Sequence, residues 1–446
     1  MRPKTLPGAH ERMGEMGAGD LKPTVAGAEQ AATLGVYLSV PFCRSKCSFC
    51  NFASGVSSPE AIEAYVVRLC QEIALAPGRA ESLRAQLPRA VDTVYIGGGT
   101  PSLLTPAQLR RIFVSLRETF QLADDAEITL EAAPGQIDEA LLQEAMRQGV
   151  NRISLGVQSF IDCESAAVGR SHTGSGCIEE VLRLQRAGIN DLGVDLIAGL
   201  PHQTEASWRH SLQVAPGIGL KHLSVYMLEI DDDSRLGREV LAGGRRFHAE
   251  ALPSEETTAA LYEIACEWLP AQGFAQYEIS NFASAQRRSR HNCKYWQRAP
   301  YMGFGLDAHS MLLWGDNAAE EDGTARAGYV RAVRFANPED LAGYLKGELS
   351  PDFPMLARSD GSVTEVGWCE AFEETVFLGL RMTEGVSLWQ LRRDFPVDLV
   401  ASAEEAAAEL IQDGLMLEEN GRWRLTLRGR LLSNDVFTRL LMGVAA

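Results

Sequence analysis

The sequence lacks any run approaching the roughly 18 apolar residues that cross a bilayer. Its first 33 residues mix glycine, alanine and charge without an apolar centre, so no secretory signal is read there. Residues 1–33 are expected to be a poorly ordered N-terminal extension, and the cytoplasm is the expected compartment. Basic charge is also short: 42 Lys and Arg stand against 59 Asp and Glu, a net charge of −17. That balance argues against wholesale electrostatic binding to nucleic acid and leaves room only for transient contact with a membrane surface. Cysteine is sparse and odd in number, nine in 446 residues, which excludes a secreted disulfide scaffold and fits a reducing compartment. Apolar side chains are plentiful at 46%, enough for a full core, so a disordered or fibrous chain is excluded.

From about residue 34, short β-like runs alternate with helical patterns. The strand candidates are GVYLSV (35–40), TVYIGGG (93–99), EITLEA (127–132), RISLGVQ (152–158), LGVDLIAG (192–199) and HLSVYMLE (222–229). Helices are expected over 59–76, 106–120, 138–148, 176–187 and 205–214. Six strands separated by helices predict an α/β fold with a parallel sheet and right-handed crossovers. Six units are too few for a closed eight-stranded barrel, so a partial (β/α)6 barrel is expected over residues 34–230. Ligands in such sheets sit at the carboxyl ends of the strands. Cys43, Gly97–Thr100, Glu131, Gln158 and Asp195 all fall there.

After residue 230 the pattern changes. DDDSRLGREVLAGGRRFHAE reads as an irregular insertion, a helix follows over about 254–271, and RHNCKYW falls in a polar loop. Residues 231–364 are taken as an extension of the core. Residues 365–446 read as helices and a short hairpin turning at Asn420–Gly421, a small winged-helix-like domain suited to packing or partner binding, with no clear DNA-reading helix.

Cys43-Arg-Ser-Lys-Cys47-Ser-Phe-Cys50 places three thiols within eight residues. Structural zinc wants four N or S ligands, and no further Cys or His lies nearby to supply the fourth. A disulfide would strand one thiol. Three ligands suit an iron–sulfur cluster that keeps one iron open.

C-x3-C-x2-C resembles the signature of the radical S-adenosylmethionine superfamily. The resemblance implies a 4Fe–4S cluster on Cys43, Cys47 and Cys50, with S-adenosylmethionine chelating the fourth iron. It also implies that Phe49 packs on the adenine and that the Gly97-Gly98-Gly99-Thr100-Pro101 loop holds the cofactor's amino group. VYLSVPFCRSKCSFCNF, YIGGGTPS, SLGVQSF, GVDLIAGLP and YEISNFA together resemble the oxygen-independent coproporphyrinogen III oxidase family over about residues 34–440. By that resemblance the S-adenosylmethionine contacts are Tyr37, Gly98, Gly99, Thr100, Glu131, Gln158, Arg170 and Asp195. Glu131 and Asp195, acidic groups in otherwise apolar strands, are costly to bury without a partner such as a ligand amine or ribose hydroxyls.

Two features resemble the haem-chaperone (HemW-type) branch more than the oxidases. The oxidases usually carry a further cysteine two positions past the third, where this chain has Phe52, and His291-Asn292-Cys293-Lys294-Tyr295-Trp296 matches the branch's HNxxYW motif. The resemblance implies binding of haem and its transfer to an acceptor protein, and it is compatible with a homodimer. His291 is the first candidate for haem contact; His309, His172 and Cys293 are weaker ones. The competing reading is radical oxidative decarboxylation of a porphyrinogen.

Overall fold

A computed structural model describes residues 33–314, 331–347 and 363–444; the expected N-terminal extension lies outside them but for Thr33. Six strands form the centre: β1 (Leu34–Val40), β2 (Ala90–Gly98), β3 (Gln121–Ala132), β4 (Arg152–Gln158), β5 (Asp191–Ala198) and β6 (His222–Met227). They pair in chain order and all in parallel. Each is joined to the next through helix, as the alternation predicts, and the result is an α/β partial barrel.

The sheet is larger than six strands. β7 (Ala275–Gln276) and β8 (Asn281–Ala283) add antiparallel beyond β6. On the other side β9 (Tyr301–Phe304) runs parallel to β1 and is followed by β10 (His309–Leu313), β11 (Ala332–Ala336) and β12 (Val363–Val366), all antiparallel. The strand order is β12-β11-β10-β9-β1-β2-β3-β4-β5-β6-β8-β7.

Local chemistry sets the crossovers. Ser58, Thr105, Asp138, Thr173 and Thr204 each cap a helix by accepting a backbone N–H, and Gly188 ends one in the left-handed region at φ 107°. The first helix runs Pro59–Ser82, past the expected stop at Ala76. Pro77 removes one backbone bond, but the next turn is held by tertiary contacts: Ala80 is buried, and Arg79 pairs with Glu72 at 3.4 Å, both buried.

Two expected loops are ordered. Residues 231–250, read as irregular, contain a helix over Arg235–Leu241 and all but the last residue of a 3-10 segment over Arg246–Ala251. RHNCKYW, read as a polar loop, is the helix Arg290–Trp296, capped by Ser289. Its charged composition hid the fact that its partners are strand residues far away in sequence.

The C-terminal segment has the order helix Trp368–Arg381, strand β13 (Val386–Ser387), helices Leu388–Asp394 and Val397–Gln412, then hairpin β14 (Met416–Glu419) and β15 (Arg422–Leu425). That is the order of a winged helix. Asn420 (φ 54°) and Gly421 (φ 70°) form the two-residue hairpin turn. Its core, centred on Phe372, Leu410 and Trp423, runs on into Tyr301, Met311 and Ala332 of the sheet.

Candidate functional site

The cysteine loop leaves the carboxyl end of β1 and is tied at its neck. Cys43 N donates to Gly55 O at 2.9 Å, and Gly55 N donates to Pro41 O at 2.9 Å. Its middle is tied to two other elements: Ser48 N donates to Val168 O, and Leu236 N donates to Ser48 O. The thiol of Cys43 accepts from Thr100 Oγ1 at 3.6 Å. All nine cysteines are free, and Cys43, Cys47 and Cys50 are half-buried. Burial raises the Cys47 thiol above its ordinary value, opposed chiefly by the Arg170 guanidinium and further by Arg235. Among the described residues no three His, Cys, Asp or Glu side chains stand ready-assembled around a metal position.

The glycine loop lies directly under the cysteines. A Cβ on Gly99 would come within 2.7 Å of Phe42 O and 2.8 Å of Val40 O, backbone atoms that cannot yield. Gly98, at φ 99°, adopts a conformation open to glycine and few others. Phe49 packs with Val168, Ile197, Leu200 and Leu228, a small apolar cluster beside the loop.

The lumen below is polar. Glu131 on β3 accepts from Tyr95 Oη at 2.6 Å. Burial pushes its carboxyl up to about 7, the Tyr95 hydrogen bond opposes this, and the Asp195 carboxylate adds to the rise. Asp195 on β5 accepts from Ser154 Oγ at 3.3 Å and is also raised by burial, with Ser224 and Ser154 opposing. Tyr37 stacks on Tyr95 with ring centres 6.2 Å apart. On β4, a Cβ at Gly156 would meet Arg170 Nη2 at 3.0 Å and the Gln158 amide at 3.4 Å, so those two side chains converge over that glycine. Gln158 Oε1 and Arg170 Nε are buried without partners, and Gln158 holds φ 65°, rare for a residue with a Cβ. Two raised carboxyls and two orphaned polar atoms beside three thiols fit a charged, hydrogen-bonding organic ligand.

Several contributors carry no signal in a motif. Tyr95, Ser154 and Ser224 are found only by counting alternate, lumen-facing positions from Gly97, Gly156 and Tyr226. Arg235 comes from the segment read as irregular.

His291 lies beneath that lumen, its ring stacked on Tyr95 with centres 5.3 Å apart. It is buried at 1% exposure, and its N–H and the N–H of Arg290 donate to Glu127 at 3.0 and 2.9 Å. Glu127 precedes Glu131 by four residues, about 13 Å along β3 toward the opposite end of the barrel. The helix Arg290–Trp296 thus floors the barrel, with Glu127 also paired to buried Arg152 at 3.5 Å. The ring's Nδ1 bonds Thr93 Oγ1 at 2.9 Å and its Nε2 bonds Tyr295 Oη at 2.8 Å. Burial, then the Lys294 ammonium, pushes its pKa down to about 3. The resemblance makes His291 the first candidate for haem contact; in the structure its imidazole is neutral and buried, with both nitrogens hydrogen-bonded inside the fold. Cys293 beside it packs on Tyr277 and Met382, with its thiol pushed up to about 11 by burial. His172 bonds Val157 O through Nε2 at 2.9 Å. His309 is exposed on β10, 3.8 Å from Asp307.

Comparison with known proteins agrees with this architecture. Residues 37–215 match the family model of the radical SAM superfamily, and residues 370–432 match that of the HemN C-terminal domain. The chain is 31% identical to the heme chaperone HemW of Lactococcus lactis over 91% of its own length and 97% of that protein's. The heme chaperone HemW of Bacillus subtilis is also 31% identical, over 91% of this chain and 98% of that one. The structure of the coproporphyrinogen III oxidase HemN from Escherichia coli superposes with a TM-score of 0.71 at 23% identity, covering 92% of this chain and 90% of that one, a likeness of fold.

Proposed function

Because the chain belongs to the radical S-adenosylmethionine superfamily and, within it, to the family of the haem chaperone HemW, we propose that it binds haem and passes it to an acceptor protein, carrying a 4Fe–4S cluster and S-adenosylmethionine. The observation that carries the cofactor reading is the convergence of Gln158 and Arg170, each with an orphaned buried atom, on the lumen beneath the cysteine loop. The near full-length likeness to proteins named for haem carriage supports the rest. No helix among the described residues is long and apolar enough to cross a membrane, and the cytoplasm remains the proposed compartment.

Cys43, Cys47 and Cys50 would hold three irons of the cluster. Bound there with S-adenosylmethionine, the cluster supplies one-electron chemistry at a C–S bond. This chain's residues do the rest. Arg170 and Arg235 offset thiolate charge, Phe49 offers an apolar face to the adenine, and Gly98, Gly99 and Thr100 hold the backbone close to the cofactor. Tyr37 and Tyr95 wall the lumen. Glu131 and Asp195 accept from the cofactor's ammonium or ribose hydroxyls, which offsets the cost of burying them.

That role for Glu131 has a pH signature. With its pKa at about 7, the carboxylate is mostly ionised at pH 8 and mostly neutral at pH 6. Affinity for S-adenosylmethionine should fall about 10-fold between those values, read by equilibrium binding to cluster-loaded protein. Glu131→Gln should bind weakly with a flatter profile; an unchanged slope in that variant would remove Glu131 from recognition.

A second reading, porphyrinogen oxidation, is kept by the intact set of cofactor-facing residues. One experiment separates the two: haem is added to one sample, and coproporphyrinogen III with reductant and S-adenosylmethionine to another. A stable haem spectrum without decarboxylation is the expected result. Formation of protoporphyrinogen would overturn the chaperone reading.

A further inference from the structure

The flooring helix ends in an open cleft. Trp296 is its last residue, and Arg298 follows in the left-handed region at φ 51°. Both line a cavity of about 340 Å³ between that helix end and the C-terminal domain, which contributes Thr375, Gly379, Gln390 and Arg422. The volume lies at the small end of the range for organic ligands, about 300–1,000 Å³.

The cleft holds donors that lack an acceptor. The Arg298 side chain is 10% exposed; its Nε donates to Glu374 Oε2 at 2.6 Å, and its Nη2 is buried with no partner among the described residues. Trp296 Nε1 is buried and unpartnered in the same way. Arg381, paired with buried Glu278 at 3.8 Å, lies over the Trp296 ring at 4.3 Å and fixes the indole against the domain. Buried polar groups in folded proteins are nearly all hydrogen-bonded, so two orphaned donors lining one cavity point to a ligand that accepts.

Charge gives the same answer. Glu374 is shared by two guanidinium groups, Arg298 and Arg334, which leaves one positive charge over. Arg422 donates through Nε and Nη2 to the carbonyls of Glu384 and Gly385, each at 2.7 Å, dipoles that leave its charge uncancelled. The acids on the same wall are taken: Glu384 pairs with Arg288 and Asp394 with Arg393, each at 2.5 Å. The local excess is positive, in a chain whose net charge is −17.

We propose that this cleft binds a carboxylate, with Arg298 as the recognition residue and a propionate arm of haem as the source; the source rests on the haem-binding reading above, and the site does not. Guanidinium and indole N–H groups donate and never accept, so they select a group that only accepts. An ionised carboxylate is that group, and its hydrogen bond to a guanidinium is among the stronger ones. The cavity takes a propionate arm and does not take a whole tetrapyrrole. Because its walls come from the flooring helix and from the C-terminal domain, a carboxylate held there joins the two.

The test compares haemin with its dimethyl ester, in which both carboxylates are masked, by titrating the full chain and following the Soret band. Haemin should bind about 10–100-fold more tightly than the ester. Arg298→Met should abolish that preference by weakening haemin and leaving the ester unchanged. Arg298→Lys, which keeps the charge and loses the planar fork, should recover part of it. Equal losses for haemin and ester in Arg298→Met would mean that Arg298 holds the fold and not the carboxylate, and would overturn the assignment. A haem-free measurement tests the cleft by itself. The indole N–H resonance of Trp296, identified by its loss in Trp296→Phe, should shift when sodium propionate is added to the wild type and stay in place in Arg298→Met. A propionate response without any preference for haemin over its ester would overturn haem as the source and assign the cleft to a free organic acid. A propionate response in a chain that gives no haem spectrum would overturn the haem reading and leave the cleft standing. No response to propionate, with haemin and ester bound equally, would overturn the proposal outright.

Discussion

Anaerobic reconstitution should give about one 4Fe–4S cluster per chain, and Cys43→Ala, Cys47→Ala or Cys50→Ala should each reduce it to none. The effect is all-or-none because the loop has no reserve. Cys70, Cys177, Cys266 and Cys293 belong to other elements, the helices Pro59–Ser82, Gly174–Ala187, Glu255–Ala271 and Arg290–Trp296. Cys70→Ala and Cys266→Ala should retain full loading, which separates ligation from general thiol loss. Iron and acid-labile sulfide per chain are the measurements. A full cluster in any of the three loop variants would remove that cysteine from the site. The loop's ties lie on backbone atoms of Cys43, Ser48 and Gly55, so alanine should leave the fold in place and take only the metal.

Glu127→Ala should cost the fold about 3–5 kcal/mol, measured by urea unfolding of the metal-free chain. Glu127 accepts from the backbone N–H groups of Arg290 and His291 and from Ser289 Oγ, and it is the carboxylate paired to Arg152. Arg152 is 2% exposed, and two of its nitrogens have no hydrogen-bond partner. Alanine would leave that guanidinium buried without its partner and release the start of the flooring helix. Glu127→Gln keeps an acceptor for the helix while losing the charge, and should fall between the two. A loss under about 1 kcal/mol for alanine would mean the floor is not held from β3.

The parallel array was legible because its strands are short apolar runs set between capped helices, and Ser58, Thr105 and Asp138 mark the helix starts in the sequence itself. The cysteines were legible for a related reason: three ligands on one loop are adjacent in sequence. The floor was not. His291 makes its bonds to Thr93, Glu127 and Tyr295, and the first two lie more than 160 residues away, so nothing local distinguishes a seven-residue charged helix from a loop. Arg298 and Arg422 line one cavity and form a pair for which no spacing rule exists. The edge strands β9 to β12 are four or five residues long, too short for alternation to register.

The pairing of β1 with β9 carries a consequence for synthesis. Gly35 lies in the first described strand, yet it pairs with Tyr301, about 270 residues later. At about 5–20 residues per second, the first strand waits some 10 seconds or more with an unpaired edge, while the cysteine loop beside it is already made. The flooring helix appears only just before β9. Until then the nascent barrel is open at its base as well as at its mouth, so the unfinished chain is the form that most needs protection from edge-to-edge association.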